Sequence, residues 1–251
     1  MIRIIMVGCN GKMGQNISQI VAEDAAAEIV AGVDFYAVEK NGYPVFDTIT
    51  ACNIEADVMI DFSSPQKLEE RLDYAIEKQL PIVLCTTGLS EKQIAQVEDA
   101  SKKVAILRSA NMSMGVNTLL KIVKTTAQIL AEAGFDIEII EKHHNQKVDA
   151  PSGTALALAD AINEGLDNSY HYIYDRSKEY VKRDKKEIGI SSVRGGTIVG
   201  EHDIIFAGTD EVIEISHTAY SKAIFGKGAV QAAKFLSGQP AGVYNMSDVI
   251  G

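Results

Sequence analysis

Over the first hundred residues, short continuous apolar runs alternate with amphipathic stretches. Residues 2–7, 28–33, 56–62, 81–85 and 104–107 are nearly unbroken hydrophobic segments, the mark of strands covered on both faces. Helical periodicity falls between them, at residues 15–24, after Ser63, Ser64 and Pro65, and at residues 91–102 behind the capping residue Ser90. Strand–helix alternation predicts parallel pairing and an α/β, Rossmann-like doubly wound domain.

After Asn111 the pattern changes. Residues 116–133 form a long amphipathic helix with Leu119, Leu120, Val123, Ala127 and Leu130 on one stripe. In residues 135–142, Phe135, Ile137 and Ile139 alternate with Asp136 and Glu138, as in a strand with one wet face. A helix from Thr154 to about Asn163 follows, then a polar, tyrosine-rich loop at 168–186. Strands are predicted at 188–193, 197–207 and 211–219, the last two joined by a turn at Gly208, Thr209 and Asp210. The second domain is therefore α+β with a mainly antiparallel, mixed sheet. Its expected span is 114–220; residues 1–113 form the dinucleotide-binding domain, completed by 221–251, where a helix at 223–236 returns to it.

Composition excludes some functions. A formal net charge of -10 argues against nucleic acid as partner. Cys9, Cys52 and Cys85 are widely spaced, with no CxxC pair, so neither a disulfide framework nor a zinc site is expected, and a reducing cytoplasm fits. No apolar run reaches membrane-spanning length, and the first strand meets a glycine loop too soon for a signal peptide.

That loop, Gly8, Cys9, Asn10, Gly11, Lys12, Met13 and Gly14, lies between a strand and a helix, the context a dinucleotide fingerprint requires. Gly8 permits the tight turn, Gly11 a close approach of pyrophosphate, and Gly14 close helix packing. The middle glycine is displaced from the usual G-x-G-x-x-G spacing. Asp34, about twenty residues on at the end of the second strand, is placed to bind ribose hydroxyls. Phe35 and Tyr36 follow it rather than a cation, which leans toward NADH; Lys40 could fold back and admit NADPH. Cys85, Thr86, Thr87 and Gly88 end another strand and serve either as a helix-entry turn or as a nicotinamide contact. Ser109, Ala110, Asn111 and Met112 end a further strand, where a hinge and a cofactor wall can coincide.

The segment from Glu141 to Thr154 carries the second anion site. Adjacent His143 and His144 point in different directions on a strand end, so they make a poor chelating pair and no metal is expected. One imidazole can be a general acid, while the other, with Lys147, binds carboxylates. Gly153 exposes a backbone N–H, and Thr154 adds a hydroxyl and another N–H at a helix start. Asp149 is read as a loop or capping residue. The stretch from Arg194 to His202 is a second candidate, its Arg194 either closing over an anion or forming a strand-end salt bridge.

These residues resemble the 4-hydroxy-tetrahydrodipicolinate reductase (dihydrodipicolinate reductase) family nearly end to end, through GCNGKMG, CTTG, SANMSMG, EKHHNQKVDAPSGTAL, RGGTIVGEH and YNMSDVIG. The resemblance implies an oxidoreductase of lysine and diaminopimelate biosynthesis. NADH or NADPH would deliver hydride to C4 of a cyclic dicarboxylic acid as its hydroxyl leaves as water. It further implies His143 as proton donor and acceptor, Lys147 as second donor, and His144, Lys147, Gly153 and Thr154 as carboxylate ligands. Gly8 to Met13, Asp34, Cys85 to Thr87 and Ser109 to Met112 match the family's nucleotide contacts. A homotetramer and closure of the domains over both ligands are also implied. Many relatives have glycine at Cys85 and a basic residue at Phe35, and the chain is short around residues 35–56.

Two other functions fit the sequence less well. A semialdehyde dehydrogenase would need a nucleophilic cysteine in the second domain, and none lies beyond Cys85. A nicotinamide-sensing regulator would not need the histidine–lysine cluster.

Overall fold

A computed structural model describes residues 1–35, 41–177 and 180–251, so Tyr36 and Lys40 lie outside the described residues. The chain divides into two compact units, Met1–Met114 with Ala223–Gly251, and Gly115–Lys222.

The first unit begins β1 (Ile2–Val7), α1 (Lys12–Ala22), β2 (Ala27–Val33), β3 (Val45–Phe46), β4 (Val58–Asp61), α2 (Leu68–Lys78), β5 (Ile82–Leu84), α3 (Glu91–Ser101) and β6 (Ala105–Leu107). The second holds nearly all of α4 (Met114–Glu132), then β7 (Asp136–His143), α5 (Gly153–Gly165), β8 (His171–Ile173), β9 (Glu187–Arg194), β10 (Gly200–Ala207) and β11 (Val212–Ala219). Finally α6 (Ala223–Leu236), β12 (Gly242–Tyr244) and α7 (Met246–Ile250) complete the first unit.

The first sheet is parallel throughout, in the order β12-β6-β5-β4-β1-β2-β3. Alternate residues of one strand serve opposite cores. Ile4 and Met6 of β1 join Ile17 and Ala229 on one face, while Ile5 and Val7 join Leu72 and Val97 on the other. This two-sided burial explains the unbroken apolar runs. Strand order reverses beside β1, and the crevice beyond the carboxyl ends of β1 and β4 is where such sheets take ligands.

The second sheet has the order β11-β10-β7-β9-β8. β10 pairs antiparallel with β7 and β11, but β9 pairs parallel with β7 and β8. The sheet is thus mixed, with antiparallel pairing in half its ladders rather than most. The cause is α5, which carries the chain across the sheet between β7 and β9 and so allows parallel entry. α4 and α5 cover one face with Leu119, Val123, Ala155, Leu158 and Ile162 against Ile137, Ile139, Ile190, Ile204 and Phe206.

Several expectations shift. α1 starts at Lys12 rather than residue 15, so Lys12 and Met13 belong to the first helical turn. α2 starts only at Leu68, behind a left-handed Lys67 (φ 57°), because the segment after Pro65 is held out of helix by contacts described below. The polar stretch 168–186 contains β8, and its Arg176 and Arg183 pair with Glu138, Asp136 and Glu187.

Candidate active site and nucleotide cleft

Strand register builds the site in the second unit. On the helix-covered face, successive rungs read Ile213, Phe206, Ile137, Ile188, then Ile215, Ile204, Ile139, Ile190, then His217, His202, Glu141, Ser192. The face turns from apolar to polar in one step, and His143, opposite Arg194, lies one rung farther.

Glu141 is fully buried, a costly place for a carboxylate without donors. Arg194 supplies two, Nη1 to Oε2 and Nη2 to Oε1, both at 2.7 Å, a bidentate fork. His143 Nδ1 lies 2.6 Å from Oε2, and the Ser152 amide donates to Oε1 at 3.1 Å. Burial pushes the Glu141 carboxyl up, but hydrogen bonds from Arg194, Ser192, His143 and the Ser152 amide more than offset it and hold it at about 2. An ionised carboxylate only accepts, so Nδ1 of His143 carries a proton and Nε2 is the atom left for chemistry. That Nε2 borders Gly200, where a Cβ would come within 3.1 Å of it.

Lys147 donates to both oxygens of Asp149, at 2.8 and 2.9 Å, which holds the Asp149 carboxyl below its usual range. The Asp149 carbonyl accepts Arg194 Nη2 at 2.6 Å. Lys147, Asp149, Arg194, Glu141 and His143 therefore form one continuous chain of contacts. Arg194 makes the strand-end salt bridge, with Glu141, and Asp149 is a loop residue that occupies Lys147. The His144 carbonyl accepts the Lys147 amide at 3.1 Å.

Ser152, not Thr154, caps α5, its Oγ accepting the Ala155 amide at 3.1 Å. Gly153 and Thr154 are then the first two helical residues, Thr154 half-buried and Gly153 exposed with nothing within 4 Å of where a Cβ would sit. The Ser152 hydroxyl is also 3.0 Å from Nε2 of His202, whose ring meets His143 edge-on at 5.3 Å and lies 6.4 Å from His217. Burial, reinforced by His143 and His217, pushes His202 down to about 4.

The sequence assigned no role to Glu141, Ser152 or His217, and His202 entered only as the end of the candidate stretch from Arg194. A signal existed for two of them. Glu141 continues the parity of Ile137 and Ile139, and His202 that of Ile204 and Phe206, so each is a polar residue on an apolar face.

In the first unit, Gly8 sits at φ +79°, and a Cβ there would lie 2.9 Å from the Phe62 carbonyl oxygen. At Gly14 a Cβ would fall 2.2 Å from the Gly8 oxygen, so only glycine lets α1 meet the loop this closely. Gly11 is the N-cap of α1, which has no side-chain cap hydrogen bond among the described residues. Asp34 Oδ2 accepts the Asn10 amide at 2.9 Å, tying the end of β2 to the loop. Cys9 is buried, its thiol pushed up to about 11 by burial and by Asp34.

A cavity of about 520 Å³ is lined by Gly8, Gly11, Asp34, Phe35, Lys67 and Arg71 among others. Its outer wall is the segment after β4. Arg71, 6 % exposed, pairs with Asp61 at 2.7 Å and donates to the carbonyls of Gln66 and Ser64 at 2.7 and 2.8 Å. That clamp keeps residues 64–67 out of helix and sets Lys67 Nζ 4.4 Å over the Phe35 ring. Neither Lys67 nor Arg71 was picked out from sequence. Cys85, Thr86 and Thr87 follow β5, with the Cys85 amide donating to the Asp61 carbonyl and Thr86 buried. Ser109, Ala110, Asn111 and Met112 follow β6, and the Asn111 side chain accepts the Ser113 amide at 2.8 Å. All these groups sit at carboxyl ends of parallel strands. Among the described residues, no histidine, cysteine or carboxylate cluster has metal-holding geometry, and no helix is long and apolar enough to cross a membrane.

Comparison with known proteins covers the whole chain. Residues 2–112 match the family described as dihydrodipicolinate reductase, N-terminus, and residues 115–250 match its C-terminus counterpart. A 4-hydroxy-tetrahydrodipicolinate reductase of Caldanaerobacter subterraneus subsp. tengcongensis is 51% identical over 250 residues, covering 100% of this chain and 98% of that one. One from Clostridium tetani is 50% identical, covering 98% and 96%. Among solved structures, a dipicolinate-bound dihydrodipicolinate reductase from Paenisporosarcina sp. TG-14 superposes with a TM-score of 0.83 at 25% identity, covering both chains fully.

Proposed function

The chain belongs to the dihydrodipicolinate reductase family, and we propose that it reduces 4-hydroxy-tetrahydrodipicolinate to tetrahydrodipicolinate, releasing water, in lysine and diaminopimelate biosynthesis. The observation that carries this reading is the cluster at one end of the mixed sheet. His143, with Nδ1 tied to a buried carboxylate, stands on the same contact chain as Lys147 and the start of α5. A relative bound to dipicolinate supports a cyclic dicarboxylic acid as the ligand class.

In this mechanism the N-terminal turn of α5, with Gly153 and Thr154, receives one substrate carboxylate, as helix starts receive anions. Lys147 turns from Asp149 to the substrate, and His144 adds a further contact. His143, protonated on both ring nitrogens, gives its Nε2 proton as the C4 hydroxyl departs as water, and Glu141 holds the remaining Nδ1 proton and keeps the ring aimed throughout. When bound, a reduced nicotinamide supplies the hydride that reaches C4. Gly8, Cys9, Asn10, Gly11, Lys12 and Met13 cradle the pyrophosphate, Asp34 holds the ribose, and Cys85 to Thr87 and Ser109 to Met112 flank the nicotinamide half. The blocked Cβ positions at Gly8 and Gly14 and the uncapped start of α1 fit that cofactor.

Asp34 favours NADH, while Lys67 on the wall of the same cavity gives a 2′-phosphate one cation. The reading extends to a cytoplasmic location, supported by three free thiols, and to a homotetramer, for which Val212 and Ile213 on the edge strand β11 offer exposed apolar surface. The decisive experiment follows nucleotide absorbance with freshly formed 4-hydroxy-tetrahydrodipicolinate. Oxidation that depends on this substrate is expected; nucleotide binding with no turnover would indicate a sensor instead.

A further inference from the structure

We propose that His202 is a positioning residue: from the neighbouring strand it fixes, through Ser152, the first turn of α5 that presents Gly153 and Thr154 to a substrate carboxylate. The proposal rests on the reading of that turn as the carboxylate site.

Ser152 is held from three directions. Its amide is bound by Glu141 on β7, its Oγ accepts the Ala155 amide of α5, and the same Oγ contacts His202 Nε2 on β10. A serine hydroxyl has one proton to give. With Oγ already accepting from Ala155, the arrangement that uses this proton has Oγ donating to Nε2, so His202 is neutral with its proton on Nδ1. The environment favours a neutral ring: His202 is 4 % exposed and two further imidazoles flank it. A cation there would be buried unpaired beside His143.

The register gives this contact its meaning. Glu141 and His202 face each other directly in the β7–β10 ladder, so the distance between the two anchors of Ser152 is set by backbone pairing. Glu141 also aims His143. One rung of the sheet therefore fixes both the acid–base imidazole and the turn that receives the carboxylate. A preformed turn binds without the entropy cost of ordering it. Losing His202 would loosen the turn and leave the Ser152 hydroxyl without its acceptor, while Nδ1 of His143 stays bound to Glu141. The effect should fall on substrate affinity rather than on the chemical step.

The test uses the full chain and three variants. In His202→Leu the acceptor is gone; in His202→Gln the Oε1 atom can reach the place of Nε2; in Ser152→Ala the hydroxyl is removed. Dipicolinate and NADH affinities are measured by calorimetry, alongside KM and kcat. For His202→Leu, the dipicolinate Kd and the substrate KM are expected to rise about tenfold, kcat to change by less than about threefold, and NADH affinity to stay put, in line with one lost buried hydrogen bond. His202→Gln should return dipicolinate affinity to within about twofold of the parent, and Ser152→Ala should reproduce the affinity loss, which covers the case of a His202→Leu chain that does not fold. Unchanged dipicolinate affinity in Ser152→Ala, or a folded His202→Gln as weak as His202→Leu, overturns the proposal. Failure of the parent protein itself to bind dipicolinate would instead defeat the functional reading on which it rests.

Discussion

Glu141 and His202 are polar residues on a face that is otherwise isoleucine and phenylalanine, and each pays for its place with a perturbed protonation equilibrium. For Glu141, the Arg194 fork and the His143 and Ser152 donors outweigh desolvation. Its folded value of about 2 lies below the ordinary 4.5, so its contribution is complete above pH 4.5 and is lost as pH falls toward 2. His202 also has a lowered value, about 4 against 6.5, because burial disfavours its cation. The unfolded chain then binds the extra proton first, and stability is lost as pH falls from 6.5 toward 4, by on the order of 3 kcal/mol. The melting temperature should therefore decline in that upper window before the carboxylate limb begins. His202→Gln should reduce the slope in the upper window, where His217, also held low by burial, contributes the remainder, and leave the lower one; scanning calorimetry across pH checks this, and an unchanged slope would remove His202 as a source. His143 and Lys147 stand out in the sequence because they sit together in one unusual segment. The sequence did not disclose Glu141 and His202 as a pair, because their meeting depends on which strands are neighbours, and no local pattern encodes that.

Elements with a chemical stop signal were legible; those ended by tertiary contacts were not. Ser90 and Gln93 form a capping box, and α3 starts where the sequence placed it. α2 begins late because Arg71, from inside the helix, reaches back to the carbonyls of Ser64 and Gln66 and holds that segment extended. β3 and β12 are too short to show a period, and their partners β2 and β6 define them. The same late start of α2 is what places Lys67 over Phe35, a cation on the cavity wall that the residues beside Asp34 did not reveal. Lys67→Glu is expected to lower kcat/KM for NADPH about tenfold relative to NADH, about 1.4 kcal/mol of discrimination. Steady-state kinetics with both nucleotides decides it; equal losses for the two would mean that Lys67 does not meet the 2′-phosphate. Gly14→Ala addresses the loop itself. Its methyl would overlap the Gly8 oxygen and the Cys9 backbone, so α1 must shift and NADH affinity should fall at least tenfold, as measured by fluorescence titration.

At the scale of the molecule, the alternation of apolar runs disclosed the parallel sheet, and the change of period after Asn111 disclosed a second kind of unit. Strand order was less accessible, since it is fixed by crossovers such as α5 and by the last segment, which adds β12 beside β6. The proposed chemistry divides between the two units. Glu141, His143, Lys147, Ser152, Arg194 and His202 lie within residues 115–222, and the glycine loop, Asp34 and Lys67 lie within the other unit. The net charge of -10 gives an anionic substrate no general attraction, so its binding depends on the local cations and helix start. Affinity for each ligand should then be separable by mutation. His143→Ala and Lys147→Ala are expected to lower kcat by roughly 10²- to 10⁴-fold, the range for loss of a proton-transfer group, with NADH affinity unchanged. Gly14→Ala should do the converse, weakening NADH while dipicolinate affinity holds. Paired titrations on all three variants measure both ligands independently. If the histidine or lysine variant lost NADH as severely as turnover, the two anion sites would not be independent, and the assignment of proton transfer to one unit and nucleotide binding to the other would have to be abandoned.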